Sequence, residues 1–115
     1  MADDCLFCRI VDGSIPSEKL FEDDKFIAFR DINPQSRVHI LVVPKRHIAK
    51  LSDCSEFDQE MLSGLLLTAN RVARDEGISD SGYRVVINSG RDGGQVMFHI
   101  HLHLMGGEKL GGKMG

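Results

Sequence analysis

The sequence lacks long apolar runs, an excess of positive charge and an even set of cysteines. No run reaches the roughly 18 consecutive apolar residues of a membrane-spanning helix, and the acidic start "MADDCLFC" has no apolar signal core, so we expect a cytoplasmic protein without membrane contacts. Lysine and arginine number 14 against 17 acidic residues, which argues against nucleic-acid binding. Three cysteines, an odd number, argue against a disulfide framework and favour a reducing compartment.

A single domain accounts for the length of 115 residues, because neither an internal repeat nor an interdomain linker is visible. Hydrophobic residues make up 42% and charged residues 27%, which is typical of a globular protein. We therefore expect one domain over residues 1–115, ending in a glycine-rich tail from about residue 106.

Several short segments have the composition of β-strands. The runs "KLFEDD" and "KFIAFRD" surround Asp23 and Asp24, which predicts a hairpin. The run "RVHILVVP" is rich in β-branched residues and is stopped by Pro44. "YRVVIN" and "MFHIHLHLM" predict two later strands. Because a helical segment separates the early strands from the late ones, the order predicts an α+β fold with a mainly antiparallel sheet.

The helical segment extends from Glu56 to Glu76, where apolar residues recur at three- and four-residue steps. Ser55 and Asp58 resemble a capping box before it, and Gly77 is a stop signal after it. The pattern predicts one amphipathic helix whose core face consists of Phe57, Met61, Leu62, Leu65, Leu66, Ala69, Val72 and Ala73.

Three of the five histidines, His99, His101 and His103, alternate with apolar residues in the last predicted strand. Alternate strand residues share a face, so the imidazoles would lie together and the apolar residues between them would face the helix. A solvated polar face, a metal site and a catalytic row are the three interpretations. The distance of about 13 Å from His99 to His103 argues against one ion bound by all three. In a catalytic row, a neutral imidazole could attack phosphorus.

The loop "NSGRDGGQ" lies just before the histidine segment and places Asn88 and Gln95 beside three glycines. Glycines let backbone N–H groups approach an anion closely. Such a loop is weak evidence alone, but beside three histidines it indicates a phosphate site.

The histidine segment "HIHLHLM" resembles the motif of the histidine triad (HIT) family. The segments "IPSEKLFEDD", "FRDINPQSRVHILVVPKRH", "GYRVVINSGRDGGQ" and "LMGG" resemble the same family, over residues 5 to about 107. The "GGQ" and "GG" that flank the motif resemble the Hint branch. The resemblance implies a five-stranded, mainly antiparallel sheet with one long helix, and a homodimer whose sheets join edge to edge.

The Hint resemblance also implies an activity. It implies a hydrolase that cleaves purine nucleoside phosphoramidates, of the adenosine 5′-phosphoramidate type, to the nucleoside monophosphate through a nucleotidyl-histidine intermediate. Dinucleoside polyphosphate hydrolysis and nucleotidyl transfer are alternatives within enzymes. A nucleotide-binding or scaffolding protein is the alternative from another class.

Residue by residue, the resemblance implies that His101 is the nucleophile and that His103 and His39 complete the catalytic set. Asp31 would bind the ribose hydroxyls. Val96 departs from the Hint branch, where the residue after "GGQ" is often Ser. The implied nucleotide-binding residues are Leu6, Phe7, Ile10, Phe29, Asp31, Ile32, Asn88, Gly94, Gln95, Val96, His101 and His103.

The pair Cys5 and Cys8 forms a C-x2-C motif, which alone could be redox-active, zinc-binding or accidental. The zinc-containing HIT members resemble this chain, and the resemblance implies a structural zinc site made of Cys5, Cys8, His47 and His99. The alternative is that the two cysteines line the base slot as small apolar side chains. The implied chemistry itself needs no cofactor, and Cys54 receives no role.

Overall fold

The computed structural model describes residues 5–112 of the chain. Two short 3-10 turns, Leu51–Asp53 and Glu56–Asp58, precede the long helix. The helices are α1 (Leu6–Val11) and α2 (Gln59–Asp75), and the strands are β1 (Lys19–Glu22), β2 (Phe26–Arg30), β3 (Val38–Pro44), β4 (Tyr83–Val86) and β5 (Leu102–Gly106).

The five strands form one sheet in the order β1-β2-β3-β5-β4, and each neighbouring pair is antiparallel. The predicted α+β class and the predicted hairpin are therefore confirmed. Asp23 shapes the hairpin turn, because its Oδ1 accepts hydrogen bonds from the N–H groups of Lys25 and Phe26 at 2.8 and 2.7 Å.

Helix α2 begins three residues later than predicted, because the capping box of Ser55 and Asp58 caps the 3-10 turn before it. It is followed by Gly77, whose φ of 74° lies in the left-handed region that glycine favours. The predicted core face is wrong at Phe57 and Leu66, which are 90% and 49% exposed. Phe57 precedes the helix, and Leu66 lies about 100° around the helix from the buried Leu65.

The last strand is shorter than predicted, and residues 97–101 lie outside it. In the register of β3 and β5, Leu102 lies opposite Val42, so a longer strand would place Ile100 opposite Pro44. Proline has no N–H to donate to the ladder. Ile100 donates instead to the carbonyl oxygen of Ile48 at 2.7 Å. The shared-face argument therefore does not hold for the whole histidine row.

Both faces of the sheet are covered, which explains why strand β2 is buried at successive positions. Phe26 and Ala28 pack with α2 in one apolar cluster, whereas Ile27 and Phe29 pack with α1 in a second. The six-residue helix α1 was missed by the sequence prediction, because it is too short for a periodic signal. Among residues 5–112, no helix is long and apolar enough to cross a membrane.

Replacing Gly64 by alanine tests how closely α2 approaches the sheet. A Cβ at this position would lie 2.7 Å from Cε2 and Cζ of Phe26, a core side chain. Helix propensity alone would stabilise the variant by about 1 kcal/mol, but overpacking costs about 1–3 kcal/mol. We therefore expect Gly64→Ala to lower the free energy of unfolding, measured by urea denaturation. The exposed neighbour Ser63 is the control, since Ser63→Ala should leave stability equal or higher. A Gly64→Ala protein more stable than wild type would contradict this packing.

Candidate active site and metal centre

A cleft of about 790 Å³ opens on the α1 side of the sheet. Most of the predicted nucleotide and catalytic residues line it, so the structure brings together positions far apart in the chain. They are Leu6, Phe7, Ile10, Phe29, Asp31, Ile32, His39, Gly94, Val96, His101 and His103. Sequence reasoning did not identify the other lining residues, Ile15, Pro16, Ser17, Arg30, Asn33, Gln35, Leu41 and Met97.

The apolar end of the cleft is joined to the histidines through Phe7. Its ring lies edge-on to Phe29, with centroids 5.7 Å apart, and edge-on to His101 at 5.0 Å. At the rim, Ile32 and Val96 are 99% and 83% exposed. A large apolar side chain so exposed beside a cleft is typical of a surface that a ligand covers.

The ring of His101 is held by a hydrogen bond to the backbone carbonyl of His99, two residues earlier. Nδ1 of His101 lies 2.8 Å from the carbonyl oxygen of His99, which can only accept, so Nδ1 carries the proton. Nε2 therefore keeps its lone pair. Burial lowers the pKa of His101 below its usual value, which favours the neutral ring at pH 7. A neutral imidazole with a free lone pair is the form that acts as a nucleophile.

His39 on β3 and His103 on β5 lie on the same face of the sheet and touch each other. Nε2 of His39 is 2.9 Å from Nδ1 of His103 and 3.4 Å from Oδ2 of Asp31. On its other side, Nδ1 of His39 accepts the backbone N–H of Gln35 at 2.9 Å. A neutral His39 therefore carries its proton on Nε2.

Burial lowers the pKa of both histidines in this pair. For His103, the neighbouring His101 and His39 act in the same direction, and its pKa falls to about 4. For His39, Asp31 opposes the effect of burial without cancelling it. At neutral pH the site therefore contains uncharged imidazoles that differ in which nitrogen carries hydrogen.

The four predicted metal ligands come together in a separate cluster, and none of them is among the residues that line the cleft. One ligand atom from each of Cys5, Cys8, His47 and His99 lies within 4.8 Å of the others. Nδ1 of His99 is 3.2 Å from Sγ of Cys5 and 3.1 Å from Nδ1 of His47, and Nδ1 of His47 is 3.3 Å from Sγ of Cys8. A tetrahedral zinc ion separates such ligands by about 3.3–3.8 Å. The set thus fits zinc by donor type and number, and its spacing lies at or slightly below the short end of this range.

The orientation of His99 supports this fit. Its Nε2 lies 2.8 Å from the carbonyl oxygen of Pro44, so Nε2 carries the proton and Nδ1 presents a lone pair to the cysteines. Burial raises the pKa of the Cys8 thiol to about 11, and the neighbouring Cys5 adds to the effect. The thiolate of Cys8 therefore needs a nearby positive charge, which a divalent cation supplies.

A second group of suitable atoms, from Asp31, His39 and His103, also lies within 4.8 Å. This group does not fit a metal ion, because the nitrogen of His39 that would bind it already carries a proton. The N–H of Gln35 holds that proton on Nε2. The distances between ligand atoms are similar in the two clusters, and the hydrogen bonds of the histidines show which cluster suits a metal ion.

Asn88 and Gln95 do not line the cleft but support the loop beside it. The Gln95 side chain is buried, accepts the N–H of Gly90, and donates to the carbonyl oxygens of Ala49 and Met97 at 2.7 and 2.9 Å. Nδ2 of Asn88 donates to the carbonyl oxygen of Gly93 at 2.7 Å. In this conformation both amides hold the loop backbone, and direct phosphate binding by them stays a prediction.

Sequence reasoning did not identify three backbone groups that orient the site: the N–H of Gln35, the carbonyl of Pro44, and the carbonyl of His99, which accepts the Nδ1 proton of His101. Side-chain identity carries no signal of such a contact, so the sequence alone could not have revealed them.

Comparison with known proteins agrees with these features. The family described as HIT domain matches residues 12–110. An uncharacterized HIT-like protein of Synechococcus elongatus is 46% identical over 110 residues, 96% of this chain and 96% of that protein. The purine nucleoside phosphoramidase of Escherichia coli is 41% identical over 111 residues, 96% of this chain and 93% of the enzyme.

The fold agrees as well. The crystal structure of a HIT family hydrolase from Legionella pneumophila matches with a TM-score of 0.95 and 46% identity, over 97% of this chain and 100% of that chain. The five-stranded antiparallel sheet and single long helix implied by the resemblance are therefore confirmed. By its sequence, its fold and its histidine segment, the chain belongs to the HIT family.

Proposed function

We propose that the protein is a hydrolase that cleaves the P–N bond of purine nucleoside phosphoramidates and releases the nucleoside monophosphate. The observation that carries the proposal is the His101 ring, whose Nδ1 proton is held by the His99 carbonyl so that Nε2 keeps a lone pair beside the cleft. The name of the Escherichia coli relative, purine nucleoside phosphoramidase, supports the same reaction.

The reaction takes two displacements at phosphorus. Nε2 of His101 attacks the α-phosphorus, the P–N bond of the substrate breaks, and the departing amine takes a proton from solvent, which leaves a nucleotidyl group on His101. Water then attacks the same phosphorus, the bond between phosphorus and Nε2 breaks, and the attacking water gives up a proton to solvent, which releases the monophosphate and restores the neutral ring. Neutral His103 and the loop amides would donate hydrogen bonds to the phosphoryl oxygens as charge develops. Two in-line steps give retention at phosphorus.

The charges of the cleft favour a substrate with one phosphate over a dinucleoside polyphosphate. Among the described residues that line it, Arg30 is the one with a permanent positive charge. Its guanidinium is already paired with Glu18 at 2.9 Å and Glu76 at 2.6 Å. With Asp31 also present, the lining residues that the structure describes provide no free cation for additional phosphates.

The remaining lining suits a nucleoside. The apolar slot around Phe7, Phe29 and Ile32 offers flat contact area to a purine ring. Asp31 lines the same cleft beside His39, 3.4 Å from its Nε2, and its carboxylate has lone pairs available for ribose hydroxyls. One Asp31 oxygen accepts the N–H of Asn33 at 2.9 Å, which fixes the carboxylate.

We assign zinc to Cys5, Cys8, His47 and His99 as a structural ion that takes no part in the reaction. The ion would join α1 to the segment that carries His101, so it would hold the apolar slot against the catalytic histidines. Retention of reduced thiolates agrees with the cytoplasm, where we place the protein.

We also propose a homodimer formed along β4. This strand is an edge of the sheet, and Val85 on it is 36% exposed. Leu66 and Leu67 on α2 are 49% and 65% exposed. They share a helix face with Asn70, whose side chain accepts a hydrogen bond from Tyr83 on β4. An open strand edge beside exposed leucines is a surface that a second copy would cover.

Trapping of the covalent intermediate tests the nucleophile. After rapid quenching with adenosine 5′-phosphoramidate, we expect mass spectrometry to find one nucleotidyl group on the peptide that contains His101. His101→Asn should abolish the adduct and reduce turnover about a thousandfold or more, while AMP binding persists. An adduct on another residue would contradict the assignment. Higher kcat/KM for diadenosine polyphosphates than for the phosphoramidate would contradict the substrate class.

Elemental analysis tests the metal centre. Protein purified without added metal should contain about one zinc ion per chain. Cys8→Ser should lose the ion and lower the thermal midpoint by about 5 °C or more, because the ligands are no longer held together. The matched control is Cys54→Ser, since Cys54 lies outside the metal cluster and should retain the ion. Equal zinc contents in the two variants would refute the site.

Sedimentation of a charged variant tests the dimer surface. We expect wild-type protein to sediment as a dimer and the double variant Leu66→Lys with Leu67→Lys to sediment as a folded monomer, because two buried ammonium groups would oppose association. Phe57→Lys is the control, since Phe57 is also an exposed apolar residue, at 90%, but borders a groove beside Lys25 and Lys45. A wild-type monomer would overturn the proposal.

A further inference from the structure

His39 is connected to the backbone in a way that fixes the position of its proton. Nδ1 accepts the N–H of Gln35 at 2.9 Å, and an N–H group can only donate. Protonation of Nδ1 would bring two hydrogens against each other, so the neutral ring carries its single proton on Nε2. The ring is also 4% exposed, which keeps water from replacing this contact.

The proton on Nε2 of His39 determines the state of the next ring. Nε2 of His39 lies 2.9 Å from Nδ1 of His103, and a donor at this distance requires a lone pair on Nδ1. A neutral His103 therefore carries its proton on Nε2. Because Nδ1 is occupied by His39, Nε2 is the His103 nitrogen left to meet a ligand in the cleft.

His101 and His103 thus hold opposite tautomers although they are two residues apart with ring centroids 5.0 Å apart. In His101 the proton lies on Nδ1, facing the His99 carbonyl, and Nε2 has the lone pair. In His103 the arrangement is reversed. One ring offers the cleft a lone pair, and the other offers it an N–H donor.

We propose that His39 is a positioning residue that sets the tautomer of His103, and that the backbone N–H of Gln35 sets the tautomer of His39. This inference rests on the proposed function for its catalytic consequence, since the Nε2–H of His103 would donate to a phosphoryl oxygen while Nε2 of His101 attacks phosphorus. The tautomers themselves belong to the free protein and do not depend on any substrate.

The carboxylate of Asp31 makes the role of His39 testable. Its oxygen lies within 4.8 Å of the ligand nitrogen of His103 and 3.4 Å from Nε2 of His39. With the His39 donor removed, this carboxylate remains as an acceptor near His103, and it would draw the proton of His103 to Nδ1. Nε2 of His103 would then turn a lone pair toward the phosphoryl oxygen, and the donor would be lost.

Ring nitrogen-15 shifts of the substrate-free protein test the tautomers directly. At pH 7.5 in wild type, long-range proton–nitrogen spectra should show His39 and His103 protonated on Nε2 and His101 protonated on Nδ1. In His39→Asn, the side-chain oxygen can still accept the Gln35 N–H, but no donor reaches His103. The Nδ1 resonance of His103 should then move toward the protonated position. His103 found with its proton on Nδ1 in wild type would overturn the proposal.

Kinetics of a matched pair test the consequence. Gln places a donor nitrogen near the former Nε2, whereas Asn does not, so we expect His39→Gln to retain the His103 tautomer and most of the kcat. His39→Asn should lower kcat by about a hundredfold, the size of effect seen when one oxyanion donor is lost, with KM changed less than about threefold. Equal kcat values for the two variants, with equal His103 spectra, would refute the positioning role. If the spectra follow the prediction but no phosphoramidate is cleaved by wild type, the proposed function fails and the tautomer chain stands.

Discussion

The hydrogen bond from Nε2 of His99 to the carbonyl oxygen of Pro44 is the contact on which both candidate sites depend. Proline has no N–H for the ladder between β3 and β5, so the pairing of these two strands ends at Val42 and Leu102. Pro44 still lies opposite Phe26 of β2, and its carbonyl is available to a side chain. With Nε2 committed, His99 turns Nδ1 to the two cysteines. The carbonyl of the same residue accepts the Nδ1 proton of His101. One residue thus belongs to the proposed metal site through its ring and orients the proposed nucleophile through its backbone.

Burial gives the histidines their chemical state. Water is excluded from His39 and His101, which are 4% and 6% exposed, so the cost of a buried charge keeps the rings neutral. The same exclusion strengthens each hydrogen bond, because the local dielectric is low. The cleft therefore depends on oriented dipoles and lone pairs, and Arg30, the one permanent cation among its lining residues in the described part of the chain, is neutralised by Glu18 and Glu76. Such a site suits a substrate that carries little charge.

The sequence predicted the elements whose signals are periodic and local. The hairpin around Asp23, the strand that ends at Pro44 and the helix with its Ser55 capping box follow from side-chain patterns over a few residues. Helix α1 has no such signal, and its cap is the thiol of Cys5, which accepts the N–H of Cys8 at 3.3 Å. The residue at which β5 begins, Leu102, is determined by Pro44 on the neighbouring strand. The two residues are far apart in the sequence, so a local sequence pattern does not include both. The metal group was inferred only from the family resemblance, because its four ligands come from three distant segments.

The three histidines of the motif have different proposed roles although their side chains are identical. Imidazole is the side chain that can donate from one edge and accept at the other, so its function is decided by which edge the backbone occupies. The Pro44 carbonyl accepts the proton of Nε2 of His99 and leaves Nδ1 for the proposed metal ion. The His99 carbonyl accepts the proton of Nδ1 of His101 and leaves Nε2 for the proposed attack on phosphorus. His39 donates to Nδ1 of His103 and leaves a donor. A shorter side chain such as Asn cannot replace both ring nitrogens. It could keep either the hydrogen bond that orients the histidine or the group that faces the ligand, but not both.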